Sequence, residues 1–384
     1  MASPPHHVEV AVIGGGQAGL ATGFYLRRAG LTPGRDFVVI DAADRPGGAW
    51  PRMWDGLRLF SPSSFSSLPG WMMPAWDEVE RGYPPRSHVV DYLTRYEERY
   101  DLRVLRPHRV RAVRTEDDDP HGRLLVEGDD LSVSARAVVS ATGTWERPFW
   151  PSYPGMREFT GRQLHTAGYR HPGEFHGQRV VIVGGGNSAA QILAEVSTVA
   201  ETTWVTARPP RFLPDDVDGR ELFAAARARI RAREEGREHP GVAGLGDIVM
   251  VPSVREARDR GVLEARSMFT RLTRDGVAWA DGEAQRADAI IWCTGFRPAL
   301  PHLRPLALRG PNGHIGVGGP SGTQALADPR LHLLGYGDWT GTASATLAGV
   351  GPFAKAAAAT LAHTLTGPGR AVGVAQTSSP IIST

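Results

Sequence analysis

Cysteine and lysine are almost missing from this sequence, which contains one of each, Cys293 and Lys355, in 384 residues. A single cysteine excludes an intrachain disulfide framework, a multi-cysteine metal site and a catalytic dithiol, so we predict no metal centre. No apolar run approaches the ~20 residues that span a bilayer. Residues 1–7 carry no signal-peptide pattern. We therefore expect a cytoplasmic protein without a membrane segment.

The sequence also lacks a strong excess of one charge. Its 43 basic and 41 acidic residues leave a net charge of +2, and the arginines are spread along the chain. A nucleic-acid-binding protein concentrates positive charge on one face, so we expect no nucleic-acid partner. Hydrophobic residues make up 41% of the chain, which at this length suits two domains with real cores. A homo-oligomer remains an open alternative.

A pattern of strand, glycine turn, helix and strand occurs twice. In the first copy these elements are residues 8–13, 14–19, 20–29 and 37–41. In the second copy they are residues 179–183, 184–189, 190–199 and 203–206. Short apolar strands alternating with helices indicate parallel, doubly wound sheets. The predicted fold class is therefore α/β, with two Rossmann-like dinucleotide-binding domains.

Other elements are predicted around these two units. The patterns indicate a hairpin at 109–137, a strand at 289–293 and helices at 88–100, 222–235, 253–260 and 342–365. We interpret the arginine-rich region at about 215–262 as a helical excursion and the residues after 367 as a loose tail.

The first glycine turn has the spacing of a dinucleotide-binding fingerprint. Gly14 permits the tight turn, Gly16 lets a pyrophosphate approach the backbone, and Gly19 lets helix and strand pack closely. The free N–H groups and partial positive charge of the helix N-terminus favour phosphate binding. Asp41 ends the next strand, where an acid accepts hydrogen bonds from a ribose. A tight turn alone would not require this combination.

The second glycine turn differs at the position of the acid. It reads Gly184-x-Gly186-x-x-Ala189, and no acid ends the following strand. Arg208 and Arg211 follow that strand instead, and two guanidinium groups can clamp a 2′-phosphate. This favours NADPH over NADH, the alternative being that both arginines are only solvated surface. Two dinucleotide sites in one chain indicate two cofactors that exchange a hydride, usually a flavin and a nicotinamide.

These motifs together resemble those of the class B flavin monooxygenases. Matching segments are Gly47-Gly-Ala-Trp50, Ala141-Thr-Gly143, Thr294-Gly-Phe-Arg-Pro298 and Gly335-Tyr-Gly-Asp338. The resemblance implies an FAD domain of residues 1–158 and 294–384, split by an inserted NADPH domain of residues 159–293. The FAD-binding residues it implies are Gly14, Gly16, Gln17, Ala18, Gly19, Asp41, Gly48, Ala49, Trp50, Val110, Ala141, Thr142, Gly143 and Asp338. The implied NADPH-binding residues are Gly184, Gly186, Asn187, Ser188, Ala189, Arg208, Arg211, Thr294 and Gly295.

The residues from Phe159 to Arg170 resemble the monooxygenase fingerprint of that family. His165 occupies its histidine position, and Tyr169 followed by Arg170 is nearer to the branch that oxygenates nitrogen and sulfur than to the Baeyer–Villiger branch. In the family this motif organises domain movement, so a histidine hydrogen-bonded to backbone is the alternative to a catalytic one. Related enzymes often place an asparagine beside the flavin, and here Ser61 or Ser63 stands in that stretch, or nothing takes the role.

Further segments resemble the flavin monooxygenases of bacterial arsenic-resistance operons. They lie at residues 57–62, 194–206, 212–219, 246–252 and 338–345. This resemblance implies a small trivalent arsenical as substrate, although sulfides, amines and hydroxylamines suit the same chemistry. Residues 71–73, Trp76 and residues 212–219 are candidate substrate-side elements, with apolar packing as the alternative.

The predicted function is that of an FAD-containing, NADPH-dependent monooxygenase that uses dioxygen and a small-molecule substrate. In this class a C4a-hydroperoxyflavin transfers the oxygen, and no side chain need act as nucleophile. One alternative is an NADPH-dependent reductase that transfers electrons without oxygenation. A second is a redox sensor that binds both cofactors without turnover.

Overall fold

A computed structural model describes residues 5–119, 122–221, 248–310 and 313–365, together with positions 224, 228, 232 and 235. Residues 236–247 of the predicted excursion at 215–262, most of the helix predicted at 222–235 and the tail after 367 lie outside the described residues. The longer strands, numbered in chain order, are β1 His6–Ile13, β2 Phe37–Ile40, β3 Val110–Thr115, β4 Leu124–Gly128, β5 Ser132–Ser140, β6 Arg162–His165, β7 Arg179–Val183 and β8 Glu201–Thr206. The shorter ones are β9 Ala265–Ser267, β10 Arg271–Thr273, β11 Gly276–Ala278, β12 Ala284–Arg286, β13 Ala289–Trp292, β14 Val317–Gly318, β15 Gln324–Ala325 and β16 Leu331–Leu333. The α-helices are α1 Gln17–Arg28, α2 Glu78–Arg81, α3 Arg86–Arg99, α4 Asn187–Val196, α5 Pro252–Asp259 and α6 Val350–Leu365.

The first sheet has the strand order β14-β15-β16-β5-β1-β2, with β4 also pairing with β5 and β3 pairing with β4. The pairs β2–β1, β1–β5 and β5–β16 are parallel. Strand β1 lies between β5 and β2 and is buried from Val10 to Ile13, as expected of a strand covered on both faces. Helices α1 and α6 pack against each other, and both contribute to the apolar core beside this sheet.

The second sheet is fully parallel, in the order β6-β13-β7-β8-β9. Its strands lie in the sequence between β5 and β14 of the first sheet. A small antiparallel sheet, β10-β11-β12, accompanies it. The α/β prediction with parallel sheets is confirmed, while the residue boundaries of two cofactor domains stay a prediction.

Three predicted elements differ in extent. The helix predicted from Thr342 begins at Val350, because Gly341 and Ala343 have φ angles of 127° and 61°, outside the helical region. Helix α4 ends at Val196, before the predicted residue 199. The predicted hairpin at 109–137 is a three-stranded meander, because its last strand, β5, continues to Ser140 and also pairs with β1.

Candidate active site

The first glycine turn is built by close backbone approach. Gly14 has φ of 111°, and a Cβ there would lie 2.4 Å from the carbonyl oxygen of Ala141 at the end of β5. A Cβ on Gly19 would lie 1.8 Å from the carbonyl oxygen of Gly14. Real Cβ atoms do not approach so closely, so glycine is required at both positions. The N-terminus of α1 is thereby held against the ends of β1 and β5.

Asp41, predicted to bind a ribose, is buried at the end of β2. Its Oδ2 accepts a hydrogen bond from the Gly15 N–H at 2.6 Å, and its Oδ1 accepts one from the Ala43 N–H at 2.7 Å. A carboxylate has further lone pairs, and Asp41 lines the cavity described below. It therefore has capacity to accept a ribose hydroxyl as well.

Gln17 connects three segments around the first turn. Its Oε1 accepts a hydrogen bond from Trp50 Nε1 at 3.1 Å, and its Nε2 donates to the Ala345 carbonyl. Ala345, Thr346 and Leu347 line the cavity just before the N-terminus of α6. The start of α1, the loop at Trp50 and the approach to α6 thus meet at one wall.

A single cavity of about 950 Å³ receives residues from both units. Fifteen predicted site residues line it: Gly14, Gly16, Gln17, Ala18, Asp41, Gly48, Ala49, Trp50, Ser61, Val110, Ala141, Thr142, Gly143, Asn187 and Ser188. The predicted residues that do not line it are Gly19, Ser63, His165, Gly184, Gly186, Ala189, Arg208, Arg211, Thr294, Gly295 and Asp338. The structure therefore gathers the first glycine turn and the start of α4 at one space.

Many of the aromatic and basic residues that line this cavity were not predicted from the sequence. The residues concerned include Arg52, Trp54, Leu57, Arg58, Phe60, His108, Arg109, Trp145, Arg147, Gln191 and Phe296. Most of them lie in loops, which have no periodicity from which burial can be inferred. Gln191 could have been predicted from the sequence, because it lies on the same face of α4 as Ser188.

The predicted substrate-side elements occupy different places. Met73 is buried in the apolar core of the first sheet, and Trp71 packs against that core. Neither these residues nor Trp76 lines the cavity, so this interpretation is wrong for them. Residues 212–219 do reach the cavity wall, since Gly219 N–H donates to the Phe60 carbonyl at 2.8 Å.

The second glycine turn repeats the geometry of the first. Gly184 has φ of 137°, and a Cβ there would lie 2.4 Å from the Cys293 carbonyl oxygen at the end of β13. Asn187 begins α4, and its Oδ1 accepts a hydrogen bond from the Val249 N–H at 2.8 Å. Arg208 and Arg211 are exposed beyond the end of β8, outside the cavity. Arg211 pairs through its backbone with Ile248.

The predicted catalytic serines separate in the structure. Ser61 lines the cavity, and its Oγ lies 2.7 Å from the Oγ of Ser66, which lines it too. Ser63 Oγ donates to Glu78 Oε1 at 2.9 Å and faces away from the cavity lining. The hydroxyl pair at the cavity is therefore Ser61 with Ser66, and Ser63 holds α2.

His165 is buried and bonded to backbone. Its Nε2 lies 2.9 Å from the Gly295 carbonyl, and its Nδ1 accepts a hydrogen bond from the Ala167 N–H at 3.1 Å. Burial lowers the pKa of His165, more than the bond to Gly295 raises it. A neutral ring with its proton on Nε2 satisfies both partners. His165 thus ties the end of β6 to the segment after β13.

The two segments that connect the sheets run side by side. Phe149 N–H donates to the Gly295 carbonyl at 3.0 Å, and Thr294 Oγ1 donates to the Phe149 carbonyl at 2.5 Å. Trp145 stacks on Phe296 with ring centroids 5.1 Å apart and an interplanar angle of 22°. The predicted residues Thr294 and Gly295 therefore lie in this crossing rather than in the cavity wall.

A buried hydroxyl network lies below Thr142. The Tyr336 hydroxyl is 2.6 Å from Ser140 Oγ and 2.8 Å from Thr142 Oγ1, and Ser140 Oγ is 3.0 Å from His302 Nε2. Burial lowers the pKa of His302 to about 4, so the ring is neutral. Asp338 is exposed, because the turn through Gly335 and Gly337 directs Tyr336 inward instead.

Metal and thiol chemistry receive no support from the geometry. No group of three or more His, Cys, Asp or Glu side chains within the described residues is arranged to hold a metal ion. Burial raises the pKa of the Cys293 thiol to about 12, which disfavours the thiolate. In the part of the chain that the structure describes, no helix is sufficiently long and apolar to cross a membrane.

Comparison with known proteins identifies the family. A profile of the family described as pyridine nucleotide-disulphide oxidoreductase matches residues 11–232, more than half of the chain. The chain therefore belongs to this family, although its single cysteine leaves it no dithiol of its own.

Comparison with individual relatives identifies the class of enzyme within this family. The flavin-containing monooxygenase from Stenotrophomonas maltophilia is 50% identical, with a TM-score of 0.82 over 93% of this chain and 98% of that chain. The uncharacterized oxidoreductase CzcO of Bacillus subtilis is 25% identical over 350 residues, 89% of this chain and 96% of that protein. A Baeyer–Villiger monooxygenase of Streptomyces coelicolor is 34% identical over 230 residues, 59% of this chain and 42% of that protein. The predicted class of flavin-dependent monooxygenase, with FAD and NADPH as cofactors, is confirmed.

Proposed function

We propose that the protein uses NADPH and dioxygen to insert one oxygen atom into a small, soft nucleophile, while the second oxygen atom leaves as water. The observation that carries this proposal is the single cavity lined both by Gly14 and Gly16 of the first turn and by Asn187 and Ser188 at the start of α4. Hydride transfer requires donor and acceptor within contact distance, and the shared cavity gives both cofactor sites access to one space.

The first unit fits a flavin dinucleotide. The close packing at Gly14 and Gly19 holds the N-terminus of α1 at the cavity, where Gly16 lets a pyrophosphate approach the backbone. Asp41 has the lone pairs to accept a ribose hydroxyl, and Gln17 holds Trp50 in the wall. We assign residues 1–158 and 294–384 to FAD binding, since the strands of the first sheet come from these two stretches.

The second unit fits NADPH by the same logic. The N-terminus of α4, with the partial positive charge of a helix end, follows Gly184 and Gly186, and Asn187 and Ser188 line the cavity. Arg208 and Arg211 follow β8 on the exposed side, where a 2′-phosphate would extend. We assign residues 159–293 to this cofactor.

The protein's own contribution is positioning and exclusion of water. When bound, the flavin would accept the hydride and activate dioxygen. Trp54, Leu57, Phe60, Trp145 and Phe296 line the cavity with apolar surface, which keeps water from the reacting atoms. The Ser61 and Ser66 hydroxyls also line the cavity and can orient a bound oxygen-containing group.

A trivalent arsenical, inorganic or methylated, is the first substrate to test, with sulfides and amines as the other classes. Its lone pair suits electrophilic oxygen transfer, and the sequence segments shared with arsenic-operon oxygenases support it. The lone Cys293 is partly buried and does not line the cavity, so no cage of protein thiolates would retain the arsenic.

The test is product formation per NADPH consumed. Purified enzyme is supplied with NADPH, dioxygen and one candidate substrate from each class, and oxidised product, NADPH and hydrogen peroxide are measured. We expect one class to yield nearly one product per NADPH. Consumption of NADPH with hydrogen peroxide as the only oxygen product in every case, or electron transfer to a quinone or protein acceptor instead, would contradict oxygenation and favour the reductase.

A further inference from the structure

One face of helix α4 is directed at the cavity and at a loop of the first unit. Ser188 and Gln191 line the cavity, and Glu195 follows one turn after Gln191 on the same face. Glu195 Oε1 accepts a hydrogen bond from Trp54 Nε1 at 3.2 Å, and Oε2 accepts one from the Tyr169 hydroxyl at 2.8 Å. One carboxylate thereby joins α4, the segment after β6 and the loop at Trp54.

The loop of residues 54–61 forms a large part of the cavity wall. Trp54, Leu57, Arg58, Leu59, Phe60 and Ser61 all line the cavity. The loop lies close against the carboxylate, because a Cβ on Gly56 would be 2.1 Å from Glu195 Oε1. A second bond, from the Asp55 N–H to the Arg170 carbonyl at 2.9 Å, fixes the loop to the residue after Tyr169.

A carboxylate at this position carries a free-energy cost of desolvation. Burial raises the pKa of Glu195, although the hydrogen bonds from Tyr169 and Trp54 lower it. Trp54 is 4% exposed and Tyr169 is fully buried, so an apolar side chain of similar size would fill the same space without desolvating a charge. What the carboxylate adds is two directed acceptors, which an apolar side chain cannot supply.

We propose that Glu195 is a positioning residue, which fixes the loop 54–61 relative to the N-terminus of α4. This inference rests on the proposed function, in which the start of α4 binds NADPH and the loop forms the wall beside the flavin. Glu195 then sets the distance between the nicotinamide site and that wall, and so the alignment for hydride transfer. It acts through Trp54 and Tyr169 and does not itself line the cavity.

Two substitutions of similar volume separate hydrogen bonding from packing. E195Q keeps both contacts, because an amide oxygen accepts from Trp54 and an amide N–H donates to the Tyr169 oxygen. E195L keeps the volume and removes both acceptors. E174L is the matched control, since Glu174 is on the same unit and its carboxylate pairs with Arg162 at 2.7 Å instead of hydrogen-bonding to Trp54 or Tyr169.

The first measurement is hydrogen–deuterium exchange of the FAD-loaded enzyme without NADPH. Loss of two bonds to a carboxylate predicts exchange in residues 54–61 that is about tenfold faster in E195L, and unchanged in E195Q and E174L. Equal exchange in all four proteins would overturn the proposal.

The second measurement is the rate of flavin reduction after anaerobic mixing with saturating NADPH. We expect E195L to be slower by about tenfold, with bound FAD retained, and E195Q to be within about twofold of the unaltered enzyme. Faster loop exchange with an unchanged reduction rate would refute the positioning role.

Two further variants cover the case in which E195L fails to fold. Y169F removes one donor and keeps its ring, and W54F removes the other donor and keeps an aromatic side chain. Each should produce part of both effects, and absence of both effects in both variants would overturn the proposal. Neither measurement involves oxygen transfer. An enzyme that passes both tests but oxygenates no substrate would contradict the proposed function and leave the role of Glu195 intact.

Discussion

At the scale of single residues, the glycines of the first turn tolerate substitution by a residue with a side chain poorly. Gly19 is within contact distance of a carbonyl that cannot move without displacing β1. We expect G19A to lose most of its bound FAD and to melt at a lower temperature, measured by flavin absorbance and thermal unfolding. G351A is the control, because a Cβ there meets only Pro69 Cδ at 3.9 Å and helix propensity favours alanine. Full FAD content in G19A would contradict the close approach.

Arg208 tests the predicted preference for the phosphorylated cofactor. Removal of a guanidinium that binds the 2′-phosphate should raise the KM for NADPH by about tenfold or more and leave the KM for NADH unchanged. Steady-state kinetics of R208A with both cofactors measure this difference. R271A, which removes an exposed arginine of β10, is the control. An equal change for both cofactors would argue against recognition of the 2′-phosphate.

The buried side chain of His332 should make the stability of the fold against unfolding depend on pH. It is 1% exposed, and burial lowers its pKa to about 4 from the usual 6.5. The unfolded chain therefore binds this proton more readily, so stability is highest above pH 6.5 and falls as the pH drops towards 4, by at most about 3 kcal/mol. Melting temperatures between pH 4 and 7 should fall less steeply in H332N than in the unaltered enzyme. Parallel profiles would show that His332 does not titrate on unfolding.

At the scale of elements, residues 212–219 are attached to the loop 54–61. The Tyr83 hydroxyl donates to Asp218 Oδ2 at 2.7 Å, and Gly219 N–H donates to the Phe60 carbonyl. Y83F removes one bond to a buried carboxylate and should speed deuterium exchange in residues 212–219 by about tenfold. It should also raise the KM for substrate while FAD remains bound. Y25F, on the side of α1 away from this contact, should match the unaltered enzyme in both measurements.

Some of the helices and strands could be predicted from sequence patterns alone. Strands β1, β7 and β13 agree closely with the predictions, because buried runs are local signals. Helices α1 and α4 occur where they were predicted, but each begins three residues earlier, at Gln17 and Asn187, because the glycine turn already contains the first helical turn. Helix α6 was predicted eight residues too early, because alanine-rich composition does not reveal the positive φ at Ala343. In that conformation the Ala343 N–H donates to Asp338 Oδ1 at 3.4 Å and the Ala343 carbonyl accepts from Thr346 Oγ1 at 2.8 Å.

At the scale of the whole molecule, the crossing of the two connecting segments relates the two sheets. Phe296 stacks on Trp145 and contacts His165 with ring centroids 4.9 Å apart. F296A loses both aromatic contacts, each worth about 1 kcal/mol. We expect it to retain FAD, to melt a few degrees lower and to reduce its flavin more slowly with NADPH in anaerobic mixing. F296Y keeps the stack and serves as the control, and an unchanged reduction rate in F296A would show that the crossing does not set the geometry.

The sequence by itself determined the fold class and the two dinucleotide sites, because glycine turns after buried strands depend on backbone sterics within a few residues. The cofactors and the enzyme class followed from the resemblance of its motifs to those of the class B flavin monooxygenases. Tertiary structure alone decided which side chains meet at the cavity. Nothing in the sequence distinguishes Ser61, which faces the cavity with Ser66, from Ser63, which bonds to Glu78. Likewise Trp54 and Glu195 are 141 residues apart in sequence and share a hydrogen bond. Such pairs arise from the packing of loops between two sheets, where no periodic pattern records the partner.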